Sequence, residues 1–241
     1  MTGGQGRVGA WGLLVTAVLQ AVGPLWAGFD QGRPDNPVVV PPGPFFAVWG
    51  LVLLGCLVVA VRGLGRAGDP GFRRLHVPLT VAQVGFVLWL VFAARVPVLT
   101  VPVFVLMLVM LVIALRRAPA RAGSDQVLVE AVLGVYAGWS AAAVWLNVAT
   151  VLDRPSSAVL AGLLSGAVVS TLVLIVFVCR TAAARIAAGV TGAWALLGVT
   201  LSASAAGSAA LAALAAVGGV AVVVVVVVGR RLSARGSGGA V

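Results

Sequence analysis

The chain has 241 residues, of which 61% are hydrophobic and 9% charged, and its mean hydropathy is +1.16. A water-soluble domain with a polar surface does not reach this hydropathy, so a soluble enzyme is excluded. The net charge of +10 comes from 16 basic residues, all of them arginine. These arginines lie between long apolar runs and form no single basic patch, so we expect no nucleic-acid partner.

The sequence offers little for metal or redox chemistry. Its two cysteines, Cys56 and Cys179, lie in apolar sequence, and His76 is the only histidine. These three residues are too few and too far apart in the sequence to indicate a metal cluster or a disulfide framework. We therefore expect no metal, no cofactor and no hydrolytic catalysis, because no acid, base or nucleophile constellation accompanies the histidine.

Long apolar runs predict an all-α fold, a polytopic membrane bundle of about eight helices. A span of the hydrocarbon core, roughly 30 Å thick, needs about 20 apolar residues. In chain order, the predicted spans are residues 10–28, 45–61, 77–94, 98–115, 127–151, 158–179, 186–203 and 208–228. An arginine-, glycine- and serine-rich tail, residues 230–241, is expected to be disordered.

The distribution of arginine orients this bundle. Thirteen of the arginines lie before the first span, in every second connection and after the last span. The opposite side has only Arg33, Arg95 and Arg154. Positive residues of short loops stay in the cytoplasm, so both termini are predicted to be cytoplasmic. A seven-span alternative would place the last arginine cluster outside. A cleavable signal peptide is disfavoured because no small-x-small cleavage site follows Trp26.

A proline-rich segment precedes the second span. Residues 29–44 are polar, and prolines 37, 41, 42 and 44 lead into Phe45, Phe46 and Trp49. Proline fixes the backbone and fits the first turn of a helix. A stiff segment followed by three aromatic rings predicts a lid over a pocket.

The fifth span has a polar and aromatic stripe. Tyr136, Trp139, Ala143 and Asn147 are spaced so that they share one helix face. An unpaired Asn amide in hydrocarbon costs several kcal/mol, so this face contacts protein or a cavity. Two interpretations are open: hydrogen bonds between helices, or a surface that lines a ligand. Trp49, Trp89 and Asn147 lie at similar depth in the outer half, above Trp139 and Tyr136, if the second, third and fifth helices are neighbours.

Three other features have simpler interpretations. Two GxxxG pairs, Gly134 with Gly138 and Gly162 with Gly166, indicate close helix packing within the bundle or in a homodimer. Glu130 suits the N-terminal end of its helix. Tryptophans 11, 26 and 145 are typical of the membrane interface, whereas Trp139 and Trp194 lie too deep for that role.

Two motifs resemble the tryptophan-rich sensory protein family (TspO/MBR), which includes the mitochondrial translocator protein. Residues 41–49, PPGPFFAVW, are similar to the proline and aromatic signature that enters the second helix of that family. Residues 136–139, YAGW, followed by Leu146 and Asn147, resemble its fifth-helix pattern. Phe86 stands where the family has an asparagine before Trp89, and three more helices follow, so the chain resembles a divergent bacterial member.

The resemblance implies a five-helix bundle that binds porphyrins, sterols or other flat apolar ligands beneath the first loop. It implies that the pocket and its supports are Pro41, Pro42, Phe46, Trp49, Tyr136, Trp139 and Asn147. Trp89 is added to this set because its depth in the membrane matches that of Trp49 and Asn147. Asn147 or Gln83 would then orient the polar edge of the ligand.

These inferences predict three parts of the chain: a TspO/MBR-like bundle over residues 1–153, three further spans over residues 154–229, and the tail. The predicted function is a non-enzymatic sensor or transporter of a flat apolar molecule in the bacterial plasma membrane. Its partners would be the lipid bilayer and that ligand. The alternative is a scaffold or accessory subunit that packs through its GxxxG faces, with a homodimer as one form.

Overall fold

We analysed a computed structural model of the chain, which describes residues 2–27, 36–118 and 124–237. Within these ranges every regular element is helical, and eight helices are long and apolar enough to span a membrane. The predicted all-α membrane bundle is thereby confirmed. The eight helices are α1 (Thr2–Ala27), α2 (Val48–Gly65), α3 (His76–Arg95), α4 (Thr100–Arg117), α5 (Ser124–Val151), α6 (Ser157–Val173), α7 (Ala182–Ala205) and α8 (Ala209–Ser237).

Short helical turns connect or extend these helices. A 3₁₀ turn, Gly43–Ala47, leads into α2, and a second one, Pro97–Leu99, leads into α4. A π-helical turn, Leu174–Val178, ends α6. The connection after α2 also differs from the predicted loop, since Pro70–Arg73 is helical and begins where Asp69 accepts the Gly71 N–H at 2.7 Å.

Local signals explain where α6, α7 and α8 begin. The hydroxyl oxygens of Ser156 and Thr181 each accept a backbone N–H in the first turn of α6 and α7. Gly207, with φ of +72°, forms the left-handed residue between α7 and α8, where a side chain would be strained. The helix α8 extends to Ser237, so it includes most of the segment for which the sequence predicted a disordered tail; residues 238–241 lie outside the described part.

The helix α5 is at the centre of the bundle. The helices α1 to α5 form a ring in which α1 packs on α2 and α3, α3 on α4, α4 on α5, and α5 on α2. On its other sides α5 packs against α6 and α7, and α8 covers both of these. Large apolar side chains on the outside of the bundle, such as Leu25, Leu51 and Phe177, are exposed as lipid contact requires.

The described parts of the arginine-rich connections lie at one end of the bundle, which we call the arginine face. Arg62 and Arg66, at the end of α2, form ion pairs with Asp125 at the start of α5. Arg116 of α4 donates to the Phe177 carbonyl at 2.6 Å. The buried Glu130 lies at the same end, where it accepts hydrogen bonds from Thr181 and Gln126. The predicted role of Glu130 near a helix N-terminus fits these contacts.

Candidate ligand-binding cavity

A small cavity lies in the half of the bundle away from the arginine face, beneath residues 37–45, which we call the proline segment. Its volume is about 40 Å³. Residues of the proline segment, α2, α3, α4 and α5 surround it. The lining consists of Val40, Pro41, Phe46, Trp49, Trp89, Phe104, Trp139, Ala143, Leu146, Asn147 and Thr150.

Trp49 is the centre of an aromatic cluster around this cavity. Its ring stacks on Trp89 of α3 with centroids 6.0 Å apart, and it contacts Phe86 at 4.5 Å. On α5 it meets Tyr136 at 5.7 Å and Trp139 at 6.4 Å, both edge to face. These geometries are the favourable ones for aromatic pairs. The rings therefore bring α2, α3 and α5 together, as the convergence of the predicted site residues requires.

Asn147 connects three helices at the outer rim of the cavity. Its side-chain oxygen accepts the Trp89 indole N–H at 3.0 Å, and its side-chain nitrogen donates to the Thr100 hydroxyl at 2.8 Å. Thr100 in turn donates to the Pro97 carbonyl. Asn147 also lines the cavity, so the two interpretations of the polar stripe, hydrogen bonding between helices and lining of a cavity, both describe this residue.

Two indole N–H groups of the cluster are buried without an acceptor among the described residues. They belong to Trp49 and Trp139, which are 3% and 1% exposed and both line the cavity. A buried donor left unpaired costs about 1–3 kcal/mol. These two groups therefore lack the hydrogen bond that a buried indole N–H usually makes.

Two of the predicted site residues stand behind the cavity. Tyr136 is buried below Trp49; its hydroxyl donates to the Ala82 carbonyl at 3.3 Å and accepts from the Gln20 side chain at 3.1 Å. Pro42 precedes the 3₁₀ turn, where its carbonyl accepts the Phe45 N–H at 2.9 Å. Both are supports. The other six predicted residues, Pro41, Phe46, Trp49, Trp89, Trp139 and Asn147, line the cavity.

Gln83 does not lie where the sequence led us to expect it. Its side-chain oxygen accepts a hydrogen bond from the Thr16 hydroxyl of α1, and Gln83 is not part of the cavity lining. The spacing along α3 explains the difference. Gln83 precedes Trp89 by six residues, which is about 9 Å along the helix, so the two side chains reach different depths.

Sequence reasoning missed Phe104 and the contribution of α7. Phe104 packs its edge on Trp89 at 5.7 Å and lies on the buried face of α4 with Thr100, Met107 and Leu111. The three- and four-residue spacing of these side chains is the signal that could have identified it. From α7, Trp194 donates its indole N–H to the Phe45 carbonyl at 3.0 Å, and its ring lies 4.4 Å from that of Phe45.

The GxxxG pairs pack mainly within the chain. A Cβ atom at Gly134 or Gly138 would lie within 3 Å of the α7 backbone, so these glycines let α5 and α7 approach closely. A Cβ atom at Gly166 of α6 would collide with the Trp145 ring of α5, whereas Gly162 faces open space. Trp145, predicted as an interface residue, also donates to the Ser170 hydroxyl of α6 at 3.0 Å.

Trp11 and Trp26, the other predicted interface tryptophans, both belong to α1. Trp11 of α1 is 58% exposed on the outside of the bundle, which suits contact with lipid. The side chain of Trp26 lies outside the described part of the chain. Pro34 and the charged residues Asp30, Arg33 and Asp35 of the segment after α1 also lie outside it.

Comparison with known proteins gives one match. A family model described as "TSPO-like protein" matches residues 13–229. The matched range begins in α1 and ends in α8, so it includes α6, α7 and α8 as well as the first five helices. No curated protein and no solved structure matches the chain.

Proposed function

The chain belongs to the TSPO-like family, and from that premise we propose that it binds a flat apolar small molecule, such as a porphyrin or a sterol, in the aromatic cavity. The cavity beneath the proline segment, lined by Trp49, Trp89 and Trp139, is the observation that carries the proposal. Indole rings offer large flat faces on which a conjugated ring system stacks. The bacterial plasma membrane is the proposed location.

The size of the cavity requires movement on binding. Pockets for drug-sized ligands enclose about 300–1,000 Å³, whereas this cavity has about 40 Å³. A porphyrin can therefore enter only if the proline segment moves and the tryptophan rings separate. The ligand then replaces ring-to-ring contacts by ring-to-ligand contacts, and burial of its apolar faces supplies the driving force.

Separation of the tryptophan rings on binding would make the indole N–H groups of Trp49 and Trp139 accessible, and these groups have no acceptor among the described residues. They favour a ligand that has an acceptor oxygen, such as a carboxylate, a carbonyl or an ether. Porphyrins with carboxylate side chains have one; porphyrins with alkyl side chains alone do not.

A role without covalent chemistry fits the family, which is generally non-enzymatic. In the described spans the charged side chains lie towards the helix ends, whereas ion-coupled transporters and proton pumps place ionisable groups at mid-membrane. We propose a sensor, or a transporter that is not driven by ions. The scaffold alternative is weakened because three of the four GxxxG glycines are already covered by helices of this chain.

The binding proposal can be tested by adding protoporphyrin to the purified protein and following the shift of the porphyrin absorbance, which does not depend on tryptophan emission. We expect saturable binding that weakens at least about tenfold in Trp49→Phe and Trp139→Phe. Trp11→Phe is the matched control, since Trp11 lies on the outside. A porphyrin with only alkyl side chains should bind more weakly than protoporphyrin. Equal binding by all three variants and the parent protein would rule out this cavity as the site.

A further inference from the structure

One face of α7 binds the proline segment at three points. Trp194 donates its indole N–H to the Phe45 carbonyl at 3.0 Å, and Ser202 donates its hydroxyl to the Val40 carbonyl at 2.6 Å. Between them lies Gly198, where a Cβ atom would come within 2.7 Å of Pro41 and 2.8 Å of the Phe45 ring. The three α7 residues are four positions apart, so they lie one above the other on one side of the helix.

The two hydrogen bonds from α7 reach the segment on either side of prolines 41, 42 and 44. Trp194 and Ser202 are eight residues apart, which is about 12 Å along a helix. They hold carbonyls at Phe45 and Val40, on either side of the prolines. The glycine between them lets the backbone of α7 lie directly against Pro41. A larger residue at position 198 would displace the segment from the cavity.

The composition of the proline segment makes these carbonyl contacts important. Prolines at positions 41, 42 and 44 have no N–H, so the segment has few backbone donors with which to bind the bundle. Its described N–H bonds at Val40 and Phe45 go to carbonyls of its own turns. Side-chain donors from α7 therefore supply hydrogen bonds that fasten the segment to the helices.

We propose that Trp194, Gly198 and Ser202 are positioning residues that hold the proline segment over the aromatic cavity, so that α7 controls the access of the ligand. When the segment moves away, the carbonyls of Val40 and Phe45 lose their donors. The hydrogen bonds thus favour the position in which the cavity is covered. The inference rests on the proposed function for its effect on ligand binding, but movement of the segment is measurable without a ligand.

Cysteine labelling of Val39 measures this movement. Val39 is fully buried, so a Val39→Cys side chain reacts with a maleimide only while the segment is displaced. Trp194→Phe keeps a ring against Phe45 but removes the N–H, and Ser202→Ala removes the hydroxyl. A net hydrogen bond corresponds to roughly a two- to tenfold change in an equilibrium. We expect each substitution to raise the labelling rate in detergent by that factor, and the double variant to raise it by about the product.

Matched controls separate this role from general destabilisation. Thr200→Ala removes a hydroxyl from the same helix, but Thr200 donates to the Leu196 carbonyl within α7. It should leave the labelling rate unchanged, and Ser202→Thr, which keeps a hydroxyl, should restore the slow rate. An unchanged rate in the Trp194→Phe, Ser202→Ala double variant, or an equal increase in Thr200→Ala, would overturn the proposal.

Ligand kinetics give a readout that a purely structural role would not change. With protoporphyrin as the probe, the association and dissociation rates should both rise in the double variant, while Kd changes less than either rate. Slower association in that variant would contradict control of access by α7. If protoporphyrin fails to bind the parent protein, the proposed function fails, whereas the labelling result still decides the role of α7.

Discussion

At the scale of single residues, the outer rim of the cavity depends on one amide. Asn147 is the acceptor for Trp89 and the donor to Thr100, so it joins α5 to α3 and α4 through its side chain. Hydrogen bonds between membrane helices contribute about 0.6 kcal/mol on average and about 1.7 kcal/mol at most. Two such bonds on one side chain are enough to be measured.

We expect Asn147→Leu to destabilise the protein by about 1 kcal/mol, since it removes both bonds and leaves the Trp89 N–H without this acceptor. The midpoint of thermal unfolding in detergent should fall. Ser165→Ala is the control, because Ser165 is exposed and bonds only to the Ala161 carbonyl of its own helix. Equal midpoints for the two variants would show that the Asn147 bonds contribute no stability.

Single residues also show what the sequence can and cannot predict about the site. Trp139 and Asn147 were identified because a large ring or an amide deep in an apolar span needs a protein partner. Trp49 was identified because it follows the prolines in the motif that enters the second helix. Phe104 was missed because a phenylalanine in a membrane span is as compatible with contact to lipid as with contact to protein. Gln83 was misplaced because a polar side chain in a membrane span is expected to face the interior of the bundle, but its polarity does not show which helix it contacts there. In the structure that helix is α1.

At the scale of helices, α5 and α7 approach so closely that a side chain at position 138 would collide with the α7 backbone. A Cβ atom at Gly138 would lie 2.6 Å from the Cα atom of Ala188 and closer still to its carbonyl oxygen. Backbone atoms cannot rotate away as side chains do, so only separation of the two helices would relieve the contact. The position of α7, and with it the proline segment, therefore depends on this glycine.

The two GxxxG pairs provide a matched comparison. Gly138→Ala should destabilise the protein by about 1–3 kcal/mol through overpacking, whereas Gly162→Ala should be neutral or slightly stabilising, since alanine favours the helix and its Cβ meets open space. Unfolding midpoints in detergent measure both. Equal effects of the two substitutions would contradict the close contact of α5 with α7.

Helix existence and order were predictable, because eight apolar runs of suitable length each become one helix. The arrangement of the last three helices was not. The resemblance implied a site made by five helices, and the contact of α7 with the proline segment depends on Gly198 and Ser202, small residues that have no distinctive pattern in an alanine-rich span.

At the scale of the whole molecule, the arginine face gives the bundle two unlike ends. Ion pairs and hydrogen bonds of Arg62, Arg66 and Arg116 gather on one end, and the aromatic cavity lies towards the other. The charge asymmetry predicts that the arginine face is cytoplasmic. The proline segment would then lie on the outer side of the membrane.

Labelling of intact cells with a membrane-impermeant maleimide tests this orientation. We expect Asp153→Cys, between α5 and α6, to be labelled, and Gly68→Cys, between α2 and α3, to be labelled only after the membrane is permeabilised. The native thiols should stay silent: Cys56 is buried, and burial raises the pKa of the Cys179 thiol to about 11, so it is protonated near pH 7. Labelling of Gly68→Cys in intact cells, with Asp153→Cys labelled only after permeabilisation, would show that the orientation is the opposite one.

The stacking of Trp49 on Trp89, with Trp139 against the edge of Trp49, has an optical consequence. Indole transition dipoles at centroid distances of 6.0 and 6.4 Å couple strongly, so these three rings absorb as a group whose circular dichroism reflects their mutual angles. A molecule that enters between the rings must change those angles. The protein thus contains its own chromophore for detecting what occupies the cavity, without any added label.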